Sequence, residues 1–217
     1  MFKQSQDAEL SRLKECLSEL HFWFCHNGLA LNPDKTDVIL LGTTQRAKTL
    51  SPISTISVSG TPVSLSSNIK ILGVTLDNTQ SFDNHVSYLS RSCYYHIRAL
   101  RHIRPSISED VSKMIACSMV GCRLDYVNSV FLGASAKVVH RLERIQNALA
   151  RVVTRHHGRT SISATLQKLH WLPIKFRINF KVATLTYKVL ESGEPSYLSL
   201  RIAIVVPSRS LRSWADT

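Results

Sequence analysis

Three groups of cationic side chains in this sequence have the type and spacing to handle phosphate. Lys35 sits in Asn32-Pro33-Asp34-Lys35-Thr36, a polar turn that delivers one lysine to the start of an apolar run, Asp37 to Leu41. Arg91, Arg98 and Arg101 are spaced by seven and three, and Lys137, Arg144, Arg151 and Arg155 by seven, seven and four. Each set therefore falls on one stripe of a helix. Such a stripe is either the wet face of a solvated helix or a track for phosphates. Arg and Lys on backbone phosphates set affinity and register and leave base identity unread, so the chemistry at issue is sequence-independent binding of nucleic acid.

The distribution of charge points the same way. The 217 residues carry a formal net charge of +12. Residues 1–80 hold 7 basic and 7 acidic side chains and are neutral, while residues 81–217 hold 20 basic and 8 acidic. A polyanionic partner, RNA, DNA or their hybrid, gains from that clustering by releasing condensed counterions.

Other chemistries find less support. Five cysteines, Cys16, Cys25, Cys93, Cys117 and Cys122, form no CxxC pair and fit neither a disulfide framework nor a zinc cluster. They suit a reducing compartment, so a nuclear or cytoplasmic, non-secreted protein is expected. Cys117 and Cys122 read as small core side chains on one helix. His156-His157 and His170 lack the paired spacing of a metal site. Trp171, Phe176, Phe180 and Tyr187 lie among basic residues, where they either stack on bases or fill a core; their helical context favours the core. The N-terminus lacks the apolar core of a signal peptide and no apolar run approaches the ~20 residues that span a bilayer, so no membrane partner is expected.

The elements that must position these residues follow from periodicity. Leu10, Leu13, Leu17, Leu20 and Phe24 predict an amphipathic helix from Asp7 to about Gly28. Asp37 to Leu41 reads as a buried strand, Ile53 to Leu65 as a hairpin about Ser59-Gly60, and Ile69 to Leu76 as a further strand. After Asn78 the pattern is helical. Phe82, Val86, Leu89, Cys93, Ile97 and Leu100 make one face, ended by Pro105, and Ser108 before Glu109-Asp110 caps the next helix. Val138, Leu142, Ile145, Leu149 and Val152 make a strict seam, and Pro173 opens a helix whose face is Ile174, Ile178, Val182, Leu185 and Val189. The expected fold class is α+β, mostly α. A helix with a small antiparallel sheet occupies residues 1–80, a basic helical bundle 81–200, and a frayed tail 201–217.

The succession "HFWFCHNGLALNPDKTDVILLG", "IKILGVTLDNTQSFDNHV", "LRHIRPSIS", "RLDYVNSVF", "RLERIQNALARVV" and "LHWLPIKFRINFK" resembles the later part of the reverse transcriptase of non-LTR retrotransposons, the long interspersed elements. The likeness runs from about residue 8 to about residue 213 in the family's order. It implies the last helix and strands of a polymerase palm, then the helical thumb and the segment after it. By the resemblance Lys35 is the ancestral lysine near the incoming nucleotide's phosphates, and Lys70 and Gly73 belong to the strand that positions the primer's 3′ end. The two arginine stripes become the thumb's grip on a template–primer duplex.

The family's polymerases hold Mg²⁺ on a hairpin ending in paired aspartates plus one earlier aspartate. No Asp-Asp pair occurs here, and Asp34, Asp37 and Asp77 are poor replacements. By the family's order that hairpin would lie before Met1, with the fingers, and no endonuclease segment is expected either. The reading is a truncated reverse transcriptase with no catalytic residues and no cofactor of its own, Lys35 being idle, that binds at most template–primer. The alternatives are a helical protein-interaction or structural module whose seam through Leu142 and Leu149 docks a partner or a second copy, with exposed palm surface favouring self-association, an inert relic, or a partner completing a polymerase in trans.

Overall fold

The computed structural model describes residues 2–43, 45, 55–156 and 161–203. It is an α+β structure, mostly α, with two separate two-stranded antiparallel sheets. Helix α1 (Phe2–His26) leads through a short turn at Pro33–Lys35 to hairpin β1 (Thr55–Val58) and β2 (Thr61–Ser64), then hairpin β3 (Asn68–Ile71) and β4 (Val74–Asp77). The helical part comprises α2 (Asp83–Ile103), α3 (Glu109–Ala116), a π-helical turn (Cys117–Gly121), α4 (Cys122–Asp125), α5 (Ala136–Thr154), α6 (Ile162–Leu169), α7 (Ile174–Ser192) and the single turn α8 (Ser196–Ser199).

The first hairpin turns at Ser59-Gly60, where both residues have positive φ, 51° and 82°, as a tight two-residue turn between right-twisted strands requires. The run Ile69 to Leu76 is not one strand. It folds back at Leu72-Gly73, with φ of 47° and 84°, so that Asn68 faces Asp77 and Ile71 faces Val74. Leu72 is a poor turn residue, and its positive φ is held from outside: the Tyr126 hydroxyl donates to the Leu72 carbonyl at 2.7 Å. Asp37 to Leu41 is not a buried strand either. Val38 alone makes a parallel bridge to Leu65, and Leu40 and Leu41 are exposed, because among the described residues no longer strand lies alongside to extend the ladder. Of the apolar face expected on α1, Leu10, Leu17 and Phe24 are half-buried while Leu13 and Leu20 are exposed. The helix touches β1, and its His21 Nδ1 lies 2.9 Å from Ser59 Oγ.

The helical part follows the periodicity closely. Val86, Leu89, Cys93, Ile97 and Leu100 of α2 and Val138, Leu142, Ile145, Leu149 and Val152 of α5 are buried in one core with residues of α3, α6 and α7. Asp83 at the start of α2 binds Lys137 and Arg141 near the start of α5, and Arg104 beyond the end of α2 donates to Val153 near the end of α5, so the two helices run side by side in the same direction. Ser108 caps α3 as expected, accepting from the Val111 N–H, and α2 stops at Ile103 before a 3-10 turn containing Pro105. On α7, Ile174, Ile178 and Val189 are buried, Val182 is half-buried and Leu185 is exposed. The fraying expected of residues 201–217 concerns positions that, from 204 onward, lie outside the described residues, as does Ile53.

Hairpin β3–β4 is bound to the helical part by several polar contacts. The Thr75 N–H points at His85 Nδ1 (3.4 Å), Asn84 donates to Asn68 (2.8 Å), and Lys70 Nζ lies 5.8 Å from the centre of the Tyr88 ring. Burial lowers the His85 pKa, which keeps its imidazole neutral and able to accept that N–H.

Two cysteine expectations are corrected. Cys117 and Cys122 are exposed, in the π-helical turn and at the start of α4, because the π turn shifts the helical register there; Cys93 is the buried thiol, pushed up to about 11 by burial. Three buried polar atoms, Ser112 Oγ, Asn128 Oδ1 and Trp171 Nε1, have no hydrogen-bond partner among the described residues, and Ser112 is the fully buried one. Ser112→Ala is expected to raise stability by about 1 kcal/mol, read as a higher urea midpoint at unchanged slope, because it removes the desolvation cost of an unpaired hydroxyl.

Candidate nucleic-acid interface

The parallel run of α2 and α5 brings their C-terminal ends together. Each end carries roughly half a negative charge from unpaired carbonyls, so the junction by itself is electronegative by about one unit. Arg101, Arg104, Pro105, Arg151, Val152, Arg155 and His156 line the open groove that forms there, about 710 Å³ in volume. Four guanidinium groups therefore outweigh the two helix ends severalfold, and among the described residues no carboxylate lines the groove.

Two of the four arginines are largely committed to the fold. Arg104 is 7% exposed and donates to the carbonyls of Val153 and Ile107, both at 2.8 Å. Arg155 ends α5 in the left-handed conformation, φ 54°, and donates to the Arg104 carbonyl at 2.9 Å. These bonds satisfy carbonyls that helix ends leave open. Arg101 and Arg151 are exposed and make no hydrogen bond or ion pair with the described residues. The committed pair fixes the walls, and the exposed pair faces outward with its charge available. A guanidinium fork in that state is suited to two oxygens of one phosphate.

The structure thus brings together Arg101, Arg151 and Arg155 of the predicted set. Arg98 lies one turn before Arg101, Arg91 two turns further back, and Arg144 two turns before Arg151; all three are exposed and continue the stripes along their helices. Lys137 stands apart at the start of α5, paired with Asp83 at 3.2 Å, and Asp83 also holds Arg141. Lys70 lies over Tyr88 and Gly73 serves the β3–β4 turn, where an added Cβ would meet only the Tyr126 ring at 3.7 Å. Lys35 is an exposed residue of the Pro33–Lys35 turn, which is closed by Asn32 accepting from the Asp34 N–H at 2.9 Å.

Sequence reasoning missed Arg104 and His156 as groove residues. Arg104 stands three residues after Arg101, a helical spacing, but the following proline marks it as a helix end rather than as part of the stripe. His156, beside His157, carries in the sequence only the signal of a possible metal ligand. Among the described residues no three His, Cys, Asp or Glu side chains are grouped to hold a metal ion; His157 lies outside them.

The expectation for the four aromatic residues splits. Trp171 is buried, as a core residue should be, whereas Phe176, Phe180 and Tyr187 on α7 are 56%, 68% and 66% exposed. The face opposite them carries Ile174, Ile178 and Val189 into the core, so helix geometry turns the aromatic stripe to solvent.

Asp77 is the most heavily bonded carboxylate of the structure. It ends β4 and accepts from the backbone N–H groups of Thr79, Ser81 and Phe82 and from the hydroxyls of Thr79 and Ser81. Burial alone would raise its pKa. The Ser81 N–H, the Thr79 hydroxyl, the Phe82 N–H and the Ser81 hydroxyl together hold it down at about 2. It is a structural anion rather than a titrating catalyst.

No family model matches the chain, and no solved structure matches it. One curated protein is similar: the "Probable RNA-directed DNA polymerase from transposon BS" of Drosophila melanogaster, 28% identical over 153 residues, which cover 65% of this chain and 16% of that protein. The match spans about one sixth of the relative's length. It supports an origin related to reverse transcriptases.

Proposed function

We propose that this chain is the trailing edge of a non-LTR retrotransposon reverse-transcriptase palm, residues 1–80, followed by its thumb, residues 81–200, and that it binds an RNA–DNA template–primer without regard to sequence. The observation that carries the reading is the groove where Arg101, Arg151 and Arg155 converge with Arg104 and His156, with no carboxylate among the described residues that line it. Phosphates seated there meet two outward guanidinium groups, and the stripe through Arg98 and Arg144 extends the contact along the same two helices. Nucleotide transfer is not proposed for the chain alone. Its sequence holds no adjacent aspartate pair, and Asp77 is fully occupied as a loop anchor. The Mg²⁺ of the polymerases finds no ligand set among the described residues.

The test is fluorescence anisotropy of a labelled RNA–DNA hybrid titrated with the chain at several salt concentrations. Engagement of about four phosphates should weaken binding about 100-fold between 50 and 200 mM salt. Salt-independent binding, or none from a folded sample, would refute the reading. A second reading rests on Phe22 and Trp23 of α1, both exposed: this face associates with another polypeptide, as a palm cut from its neighbours would. Association of that kind should survive salt and weaken when Trp23 becomes Ala.

A further inference from the structure

Helix α7 is apolar on two opposite faces. Ile174, Ile178 and Val189 enter the core, while Phe176, Phe180, Ala183, Tyr187 and Leu190 recur at spacings of four, three, four and three along the side facing solvent. The helix is anchored through its inner face and through Arg177, which pairs with Asp125 at 3.0 Å. The outer stripe plays no part in that anchoring, and a row of exposed rings on a rigid helix requires an occupant of its own.

The charges beside the stripe identify the occupant's sign. Lys175, Lys181 and Lys188 are exposed, and their ammonium groups make no hydrogen bond or ion pair with the described residues. By helical geometry Lys175 lies on one flank of the rings and Lys181 and Lys188 on the other. Glu191 is the one carboxylate of α7, and its proximity raises the Tyr187 pKa. A second copy docked on this face would bring two sets of unpaired lysines together. A polyanion would neutralise them.

Aromatic faces flanked by unpaired cations match a nucleic-acid strand with its bases unstacked. Every base has a face to place on a ring, and the phosphates follow the flanking lysines. A duplex keeps its bases paired and stacked, so it offers these rings nothing equivalent. The Cα atoms of Phe176 and Phe180 are separated by about 6 Å along the axis, one helical turn, which lets two successive rings serve one strand.

We propose that the outward face of α7 is a stacking platform for single-stranded RNA or DNA, a binding surface distinct from the arginine groove. In a template–primer the strand beyond the duplex is single, and this platform would take that strand. The platform extends the nucleic-acid reading to a second surface, and its test separates the two.

The experiment measures anisotropy of labelled oligo(U) and oligo(dT) single strands and of a blunt RNA–DNA hybrid. It compares the unaltered chain, Phe176→Ala/Phe180→Ala, and Lys181→Glu/Lys188→Glu. Loss of two stacked bases should weaken single-strand binding at least 25-fold and leave hybrid binding within about twofold. The lysine variant should weaken single-strand binding as well and flatten its salt dependence. All four side chains are exposed, so thermal melting should be unchanged, which keeps the comparison clean. Single-strand binding that is indifferent to both variants would overturn the platform even if the groove binds hybrid. So would a sedimentation shift from dimer to monomer in the phenylalanine variant, which would mark the stripe as a self-association seam.

Discussion

Asp77→Ala is expected to destabilise the protein by about 3 kcal/mol, a large share of the 5–15 kcal/mol typical of a folded domain. Asp77 is 7% exposed and accepts five hydrogen bonds at 2.7–3.1 Å from Thr79, Ser81 and Phe82. Those bonds shape the loop between β4 and α2, in which Gln80 and Phe82 both have positive φ, 55° and 59°. Each such residue costs about 1 kcal/mol of backbone strain that the carboxylate offsets. The same loop places the Phe82 ring against Phe131, edge to face with centres 5.6 Å apart. Removing the carboxylate leaves buried N–H groups unpaired and releases the anchor between the second hairpin and the helical core.

The pH dependence carries the same signature with a definite sign. The Asp77 pKa is about 2 in the folded chain and near the ordinary aspartate value of 3.8 when unfolded. The depressed value favours the folded state wherever the carboxyl is ionised, so the contribution, about 2 kcal/mol, is complete above pH 4 and fades as pH falls through 2. His85 acts in a higher window. Its pKa lies below 6.5 in the folded chain, so its contribution is complete above that value and declines as pH falls beneath it. Urea melts from pH 7 down to pH 2 separate the two. Asp77→Asn should abolish the lower step and keep the upper, and a variant losing less than 1 kcal/mol at pH 7 would contradict the anchoring role.

Arg101→Glu combined with Arg151→Glu should weaken binding of an RNA–DNA hybrid by 100-fold or more, and the slope of log affinity against log salt should fall by about two. Both side chains are exposed and unpaired among the described residues, so the fold should tolerate the change. Arg104 would be a misleading choice. Its guanidinium is buried against the carbonyls of Val153 and Ile107, and any loss of binding would mix with loss of structure. Lys137→Glu is the instructive control: it sits on the same sequence stripe but is paired with Asp83, away from the groove, so hybrid affinity should change less than fivefold. Equal losses for the control and the double variant would dissolve the groove into a general effect of net charge.

Periodicity was sufficient for the helical part because burial there is decided within each helix. A seam such as Val138, Leu142, Ile145, Leu149 and Val152 can face only one way, whatever it packs against. Strands are different. Ile69 to Leu76 is equally apolar as one strand or as two, and only the Tyr126 hydroxyl bound at Leu72 explains why so poor a turn residue makes the turn. Asp37 to Leu41 has a strand's composition but finds among the described residues only the single bridge from Val38 to Leu65.

The sequence by itself determined the helical majority, the asymmetry of charge and the two basic stripes, since these depend on residue type and local spacing. The tertiary structure alone decided which cations lie together. The parallel packing of α2 and α5 gathers Arg101, Arg151 and Arg155 and recruits Arg104 and His156, while Asp83 withdraws Lys137. It also decided that Phe176, Phe180 and Tyr187 face water, because an α-helix with apolar residues on both sides can bury only the side its neighbours reach.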